Sequence, residues 1–293
     1  MLPAWEPHTV VSTELLDPGP VAALAALFDD GLPAPRVGDP LPPLWHWVAL
    51  PRWSPSAQVD VDGHPFRGSF LPPVDLPRRM FAGGSATFEG QLRVGDEIRR
   101  ESVVESVTEK DGRSGPLVIV VTSTVLYGSD GTPAVAEKQH LVFRPAAARV
   151  RAESRSPIDP AAMAPAGTPL VDAGAGHWEF HTDPALLMRF SAATANAHRI
   201  HYDWPYATGV EGYPGLVVHG PLMTLALLET HRLAGAGRIA ALTHRIRTPL
   251  FCGQSGRLVS TPTAGGTTVE LMGPGGAEAG AHATVELTLG DLT

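Results

Sequence analysis

The residues able to do chemistry crowd into one stretch, 190–220, which reads FSAATANAHRIHYDWPYATGVEGYPGLVVHG. It holds Asn196, His198, Arg199, His201, Tyr202, Asp203 and His219. Histidine is the side chain whose ordinary pKa lies near neutrality, so proton transfer is the first chemistry this stretch suggests. A metal is a weaker reading. Arginine is not a ligand, and only Asp203 could complete a two-histidine, one-carboxylate set. At the end of the stretch, Gly220-Pro221 opens a helix, whose first N–H groups and dipole suit an anion. Each residue also has a plain structural reading. Asn196 could cap a helix end, His198 could be a polar helix-end residue, and His219 could hold a loop. The other histidines, His8, His46, His64, His140, His231, His244 and His282, read as structural or surface residues.

The elements that must position this stretch follow from pattern. Asp183 and Pro184 suit the cap and first turn of a helix, with Leu186, Leu187, Phe190 and Ala193 on its apolar side. A strand is expected at 216–218. The helix from Pro221 to about Leu233 is apolar almost all round and should be buried. A strand at 177–181 precedes these, and β runs at 238–250, 256–263, 267–273 and 279–290 follow. In the first half, 20–29 reads as a short helix. Residues 31–80 hold eleven prolines, a long coil of the kind that walls a pocket, with one short helix near 44–50. Four β runs, 80–92, 96–109, 116–128 and 134–144, form an antiparallel meander punctuated by turn residues. Each half thus sets four strands beside helical material. A weak echo between FEGQLRVGDEI and TPLFCGQSGRL fits a duplication. The expected organisation is 1–145, a Pro- and Ala-rich linker at 146–172, and 173–293.

Composition excludes several classes. The single cysteine, Cys252, rules out an internal disulfide and makes a Cys-based zinc site improbable. A net charge of −8 argues against a nucleic-acid surface. Only Lys110 and Lys138 are lysines, so lysine-based covalent catalysis is improbable. There is no HExxH, GxxxxGK[ST], GxSxG or complete GxGxxG. The N-terminus lacks a basic signal-like region and no apolar run approaches a membrane span. The expectation is a soluble cytoplasmic protein without membrane contacts.

The motif itself resembles the active-site signature of the MaoC-like, or hydratase-2, branch of the hotdog superfamily. Ile200-His201-Tyr202-Asp203 matches its Ile-His-x-Asp, Tyr206-Ala207 its Tyr-Ala pair, and Leu216 to Gly220 its apolar strand ending in His-Gly. Asn196 stands where that motif carries a catalytic Asp, and His198-Arg199 replace its Asn-Pro. This variant resembles the mesaconyl-CoA and itaconyl-CoA hydratases and the type-2 hydroxyacyl-thioester dehydratases. The stretch Phe70 to Gly84 and Arg113 to Val118 resemble the N-terminal half of the same branch. The resemblance implies an α+β double hotdog, two antiparallel sheets each wrapped on a central helix.

It also implies a hydro-lyase that adds water reversibly across an α,β-unsaturated acyl-CoA, with CoA as part of the substrate and no cofactor. The acyl group implied is short, branched or dicarboxylic. Such a reaction needs a proton acceptor for water, a proton source for the α-carbon and donors for an enolate oxygen. His201 is then the acid/base, Asn196 fixes water, and Gly220 and Leu222 offer N–H groups. His198, Arg199, Tyr202 and His219 are candidate substrate contacts. Arg78, Arg79, Arg245 and Arg247 are candidates for phosphate or carboxylate, which arginine grips bidentately. Arg245 and Arg247 share a strand face at i, i+2. The N-terminal half is expected to be non-catalytic and to shape the acyl pocket. A homodimer is a further expectation. Competing readings are a dehydratase of longer acyl chains on CoA or acyl carrier protein, a thioesterase, and a non-catalytic acyl-thioester binder.

Overall fold

The computed structural model describes residues 5–112, 115–146 and 164–290. Its strands are β1 (Val10–Leu15), β2 (Arg78–Phe88), β3 (Glu97–Gly112), β4 (Gly115–Tyr127), β5 (Pro133–Arg144), β6 (Leu170–Gly174), β7 (His177–Phe180), β8 (Ile239–Ile246), β9 (Gly256–Thr263), β10 (Gly266–Met272) and β11 (Ala281–Leu289). All eleven belong to one antiparallel sheet, in the order β1-β3-β4-β5-β2-β8-β11-β10-β9-β7-β6. The two expected sheets are thus joined edge to edge by β2 pairing with β8, from Gly83↔Arg245 to Thr87↔Ala241. The pairing covers edges that would otherwise stay open to other chains. Gly83 makes the close approach possible. Its φ is +131°, and a Cβ there would stand 2.1 Å from the His244 carbonyl oxygen. A bulge in β2 between Phe81 and Gly83 bends the strand beside the cleft.

The helices are α1 (Pro18–Phe28), α2 (His46–Ala49), α3 (Pro184–Ala193), α4 (Trp204–Gly209), α5 (Gly220–Leu233) and α6 (Gly276–Ala279). Asp183 caps α3, accepting the Leu186 N–H at 2.8 Å, as its type and position predict. The buried side chains of α5 run without a break from Leu222 to His231. It lies against β10, β11 and β2. In the N-terminal half, the helix on β2 and β5 is α2, a single turn.

Four elements escaped the sequence reading, among them the single turn α6 between β10 and β11. β1 is a short edge strand on β3. The α4 helix has six residues and is held by its Asp203 cap, too short to show a period. β6 begins inside the stretch read as linker and runs past its end, and residues 147–163 of that stretch lie outside the described ones. The strand expected at 216–218 is instead one bridge, Val217↔Phe251. The Val217 carbonyl is committed to a histidine ring rather than to a ladder.

Candidate active site

His201 lies in a 3₁₀ turn, Arg199–His201, between α3 and α4. Its Nδ1–H donates to the Val217 carbonyl at 2.7 Å. A carbonyl only accepts, so this bond fixes the tautomer and leaves the Nε2 lone pair free. The ring stacks on His219, with centroids 3.6 Å apart and planes at 18°. His219 is fully buried, and its Nε2 meets the Ser191 hydroxyl at 2.8 Å. The chain therefore sets His201 from two sides, by a carbonyl and by a ring. Burial drags the His201 pKa down to about 3, so the ring is neutral at rest, with Nε2 unprotonated.

His198 is buried beside it, with ring centroids 5.5 Å apart. Its backbone N–H donates to Asn196 Oδ1 at 3.1 Å, and its own Nε2 has no partner among the described residues. A third ring, His64, lies 4.2 Å from His198. It comes from a tight turn in the proline-rich segment, where Asp62 Oδ2 accepts its Nδ1–H at 3.1 Å and Asp62 Oδ1 its backbone N–H at 2.8 Å. Burial lowers the His64 pKa to about 4; Arg79 and Arg67 add to the shift and Asp62 opposes it.

These rings open into one cleft of about 750 Å³, which Asn196, His198, His201, Gly220, His64 and Arg79 all line. Arg79 makes no hydrogen bond or ion pair with any described residue, and burial lowers its pKa to about 10. Asp62 is the nearby counter-charge, but its carboxylate is taken up by His64, and an arginine in a cleft wall with its N–H groups unengaged is poised for an anion. Asp62, His64 and His198 each bring one possible ligand atom within 4.8 Å of the others. The Asp62 carboxylate is already shared by two N–H groups, and the cationic Arg79 and Arg67 stand close by. That charge environment opposes a cation and suits a proton relay.

Comparison with known proteins gives the family. Residues 44–252 match the model of hydroxyacyl-thioester dehydratase type 2. The chain belongs to that family. It is 44% identical over 266 residues, 90% of each chain, to a mesaconyl-C(4)-CoA hydratase of Chloroflexus aurantiacus. Among solved structures, HtdX of Mycobacterium tuberculosis superposes with TM-score 0.63 at 19% identity, over 96% of this chain and 99% of that one. A second M. tuberculosis protein, described as having a double hotdog fold, gives 0.52 at 14% identity over 97% and 94%. The fold of this dehydratase-family member is the double hotdog.

Not every residue proposed from sequence reaches the cleft. Arg199 does not: its side chain pairs with Asp203 at 2.7 Å, donates to the Val61 carbonyl at 3.0 Å and lies over the Tyr206 ring. It fastens one loop to another. Tyr202 is exposed and donates its hydroxyl to the Ala197 carbonyl at 2.8 Å. His219 and Leu222 are wholly buried behind the wall. Arg78 is paired with Glu211 at 2.8 Å; as a strand neighbour of Arg79 it points to the opposite face. Arg245 is exposed on the outer face of β8, whereas Arg247, beyond the end of that strand, reaches the cleft mouth. The shared face expected for the two ends with the strand at Ile246. Asp62 and His64 went unrecognised; an Asp-Gly-His turn carries no period, and only its place in a pocket-walling coil pointed to it.

Proposed function

We propose that this protein catalyses reversible hydration of an α,β-unsaturated acyl-CoA bearing a free carboxylate, of the mesaconyl-C4 type. The observation that carries the carboxylate is Arg79, unpaired in the cleft wall among the catalytic histidines. In a C4 thioester of mesaconate the β-carbon, which receives the hydroxyl, also bears the free carboxylate. Its receptor must therefore stand beside the groups that handle water, where Arg79 stands. The hydratase relative carries the same inference independently.

The geometry supports the following steps. The thioester carbonyl lies over the start of α5, where the Gly220 N–H faces the developing oxyanion. His201, neutral and with Nε2 free, exchanges a proton with the substrate. The acyl group extends along the cleft toward Arg79, into the N-terminal half. The walls there set polar side chains, Arg100, Ser102, Thr124, Glu137 and Gln139, among apolar ones such as Trp47, Leu50, Phe81, Leu126 and Leu141, and the polar group supports a charged acyl group over a plain alkyl chain. No residue in this scheme requires a metal or cofactor, and CoA takes part as the carrier of the acyl group. No helix among the described residues is long and apolar enough to cross a membrane.

A panel of crotonyl-, mesaconyl-C4- and itaconyl-CoA tests the reading. Hydration appears as loss of enoyl absorbance without free thiol, fastest on a carboxylate-bearing substrate. Release of free thiol would make the protein a thioesterase. Faster turnover of crotonyl-CoA would move a dehydratase of unsubstituted acyl chains to the front.

A further inference from the structure

We propose that Asp62 and His64 form a second proton-transfer pair for this reaction, acting on the water at the β-carbon while His201 acts at the α-carbon. The proposal rests on the hydratase reading above. It supplies what the motif lacks: position 196 is an amide, and an amide cannot take a proton near neutral pH. The carboxylate comes instead from the other half of the chain.

The turn that brings it is built for the place. Gly63 has φ +93°, and a Cβ there would lie 1.7 Å from the Ala197 carbonyl oxygen, so the turn sits directly on the 196–201 segment. The Arg199 backbone N–H donates to the Asp62 carbonyl at 2.9 Å, and its side chain holds the Val61 carbonyl. Asp62 is buried, and its carboxylate accepts only, so Nδ1 of His64 carries the proton and Nε2 is left to work. Of the three histidines in the cluster, His64 alone has a carboxylate partner among the described residues. A carboxylate stabilises the imidazolium and orients the ring.

Order along the cleft matches order along the substrate. Gly220 follows His219, which stacks on His201; His198 comes next, then His64, which feels Arg79. The thioester oxygen, α-carbon, β-carbon and carboxylate fall in the same sequence. In dehydration, neutral His201 takes the α-proton through Nε2. The electron pair moves into the thioester carbonyl and then forms the double bond. The β-carbon–oxygen bond breaks, and the His64 imidazolium gives its proton to the departing hydroxyl, which leaves as water. Hydration is the reverse, and both rings reset by exchange with solvent.

The groups facing His64 are Asp62 and Arg67 from its own loop, Arg79 from β2, and His198 and His201 from the segment opposite. The cation of Arg79 opposes its protonation. A substrate carboxylate bound to Arg79 cancels that charge, so His64 is charged most readily when the right substrate is present.

The test uses the intact enzyme and its His64→Gln and Asp62→Asn variants. In the dehydration direction His64→Gln should lose about 10²-fold or more in turnover, within the range for a general acid. On a β-chloro analogue of the hydroxyacyl thioester, whose chloride leaves without a proton, it should lose far less. His201→Ala should fail on both. In D₂O, His64→Gln should still exchange the α-proton of the hydroxyacyl thioester faster than it eliminates water. Asp62→Asn removes the group that raises the His64 pKa, so the pH limb set by His64 should move to lower pH. Equal losses on hydroxy and chloro substrates, or full turnover by His64→Gln, would overturn the proposal while leaving the hydratase reading intact. So would activity removed by a chelator and restored by a divalent cation, which would make these residues metal ligands. Failure of the wild type on every enoyl-CoA would instead sink the functional reading.

Discussion

The two halves of the molecule use the same sheet architecture for opposite purposes. In the C-terminal half a helix of 14 residues, α5, is buried along nearly its whole length against the strands. Its rigid start presents Gly220, and the residue before it supports His201. In the N-terminal half the helix on β2 and β5 has four residues, α2. Where a longer helix would lie, polar side chains meet instead. His46 Nε2 stands 2.9 Å from Glu137, and the Trp47 and Gln139 side chains donate to the same carboxylate at 2.7 and 2.8 Å. One half gives stiffness and sets His201 and Gly220 on the cleft. The other has volume and charge in place of helix, and contributes Asp62 and His64 through a long irregular segment and Arg79 from the start of β2. A duplicated fold can thus divide labour by shortening one element.

The comparison breaks most visibly at His201. Replacing it with Ala should lower turnover by about 10²–10⁴-fold, with an unchanged circular dichroism spectrum and thermal midpoint. Near-full turnover would remove the C-terminal half from the chemistry. A difference in stability comes next. Leu225→Ala, in the fully buried middle of α5, should cost toward the upper end of about 2–5 kcal/mol, because packed strands leave the cavity no way to collapse. Leu50→Ala, at the end of α2 beside the cleft, should fall at the lower end, since water can occupy the space. Denaturant titration of both variants checks this; equal losses would mean that the N-terminal half is packed as tightly as its counterpart.

Charge gives a smaller, sharper effect. Arg79→Met should reduce kcat/KM for a carboxylate-bearing enoyl-CoA by roughly 10–150-fold, the equivalent of about 1.5–3 kcal/mol for a charged hydrogen bond. The ratio of its rate to that on crotonyl-CoA should fall by the same factor. Arg78→Met removes a pair with Glu211 and a cation over Tyr213, so it should lower stability and leave that ratio alone. Two adjacent arginines with different phenotypes would follow from the alternation of a strand.

The sequence was most legible where pattern is dense. The paired strand runs, the Asp183 cap and the continuous apolar surface of α5 all follow from period and turn chemistry. His201 stood out because its neighbours match a motif. The arginines were harder. Arg199 lies inside that motif yet serves as a clamp, because its partners, Asp203 and the Val61 carbonyl, are set by tertiary approach. Asp62 and His64 are two residues apart but more than a hundred residues from the histidines they join. Only the fold brings them there. A site assembled across two halves leaves no local spacing to read.

Asn196 carries the smallest effect and decides what the missing aspartate means. The motif position suggests an amide that holds water. The structure commits its Oδ1 to the His198 backbone N–H at 3.1 Å, a bond two residues on that shapes the loop. The NH₂ makes no hydrogen bond to a described residue, although Asn196 lines the cleft. Loss of one neutral hydrogen bond is worth about 0.5–1.5 kcal/mol. Asn196→Ala should therefore lower kcat by roughly two- to twelvefold, the same interval expressed as a rate, with KM nearly unchanged. Asn196→Asp keeps the acceptor for His198 and adds a carboxylate beside two histidines. Its pH–rate profile should gain a carboxylate ionisation absent from the wild type, because a second base then competes with His64. If Asn196→Ala falls as far as His201→Ala, the amide itself holds the reacting water, and the loss of the motif's aspartate would be repaired locally rather than by the other half.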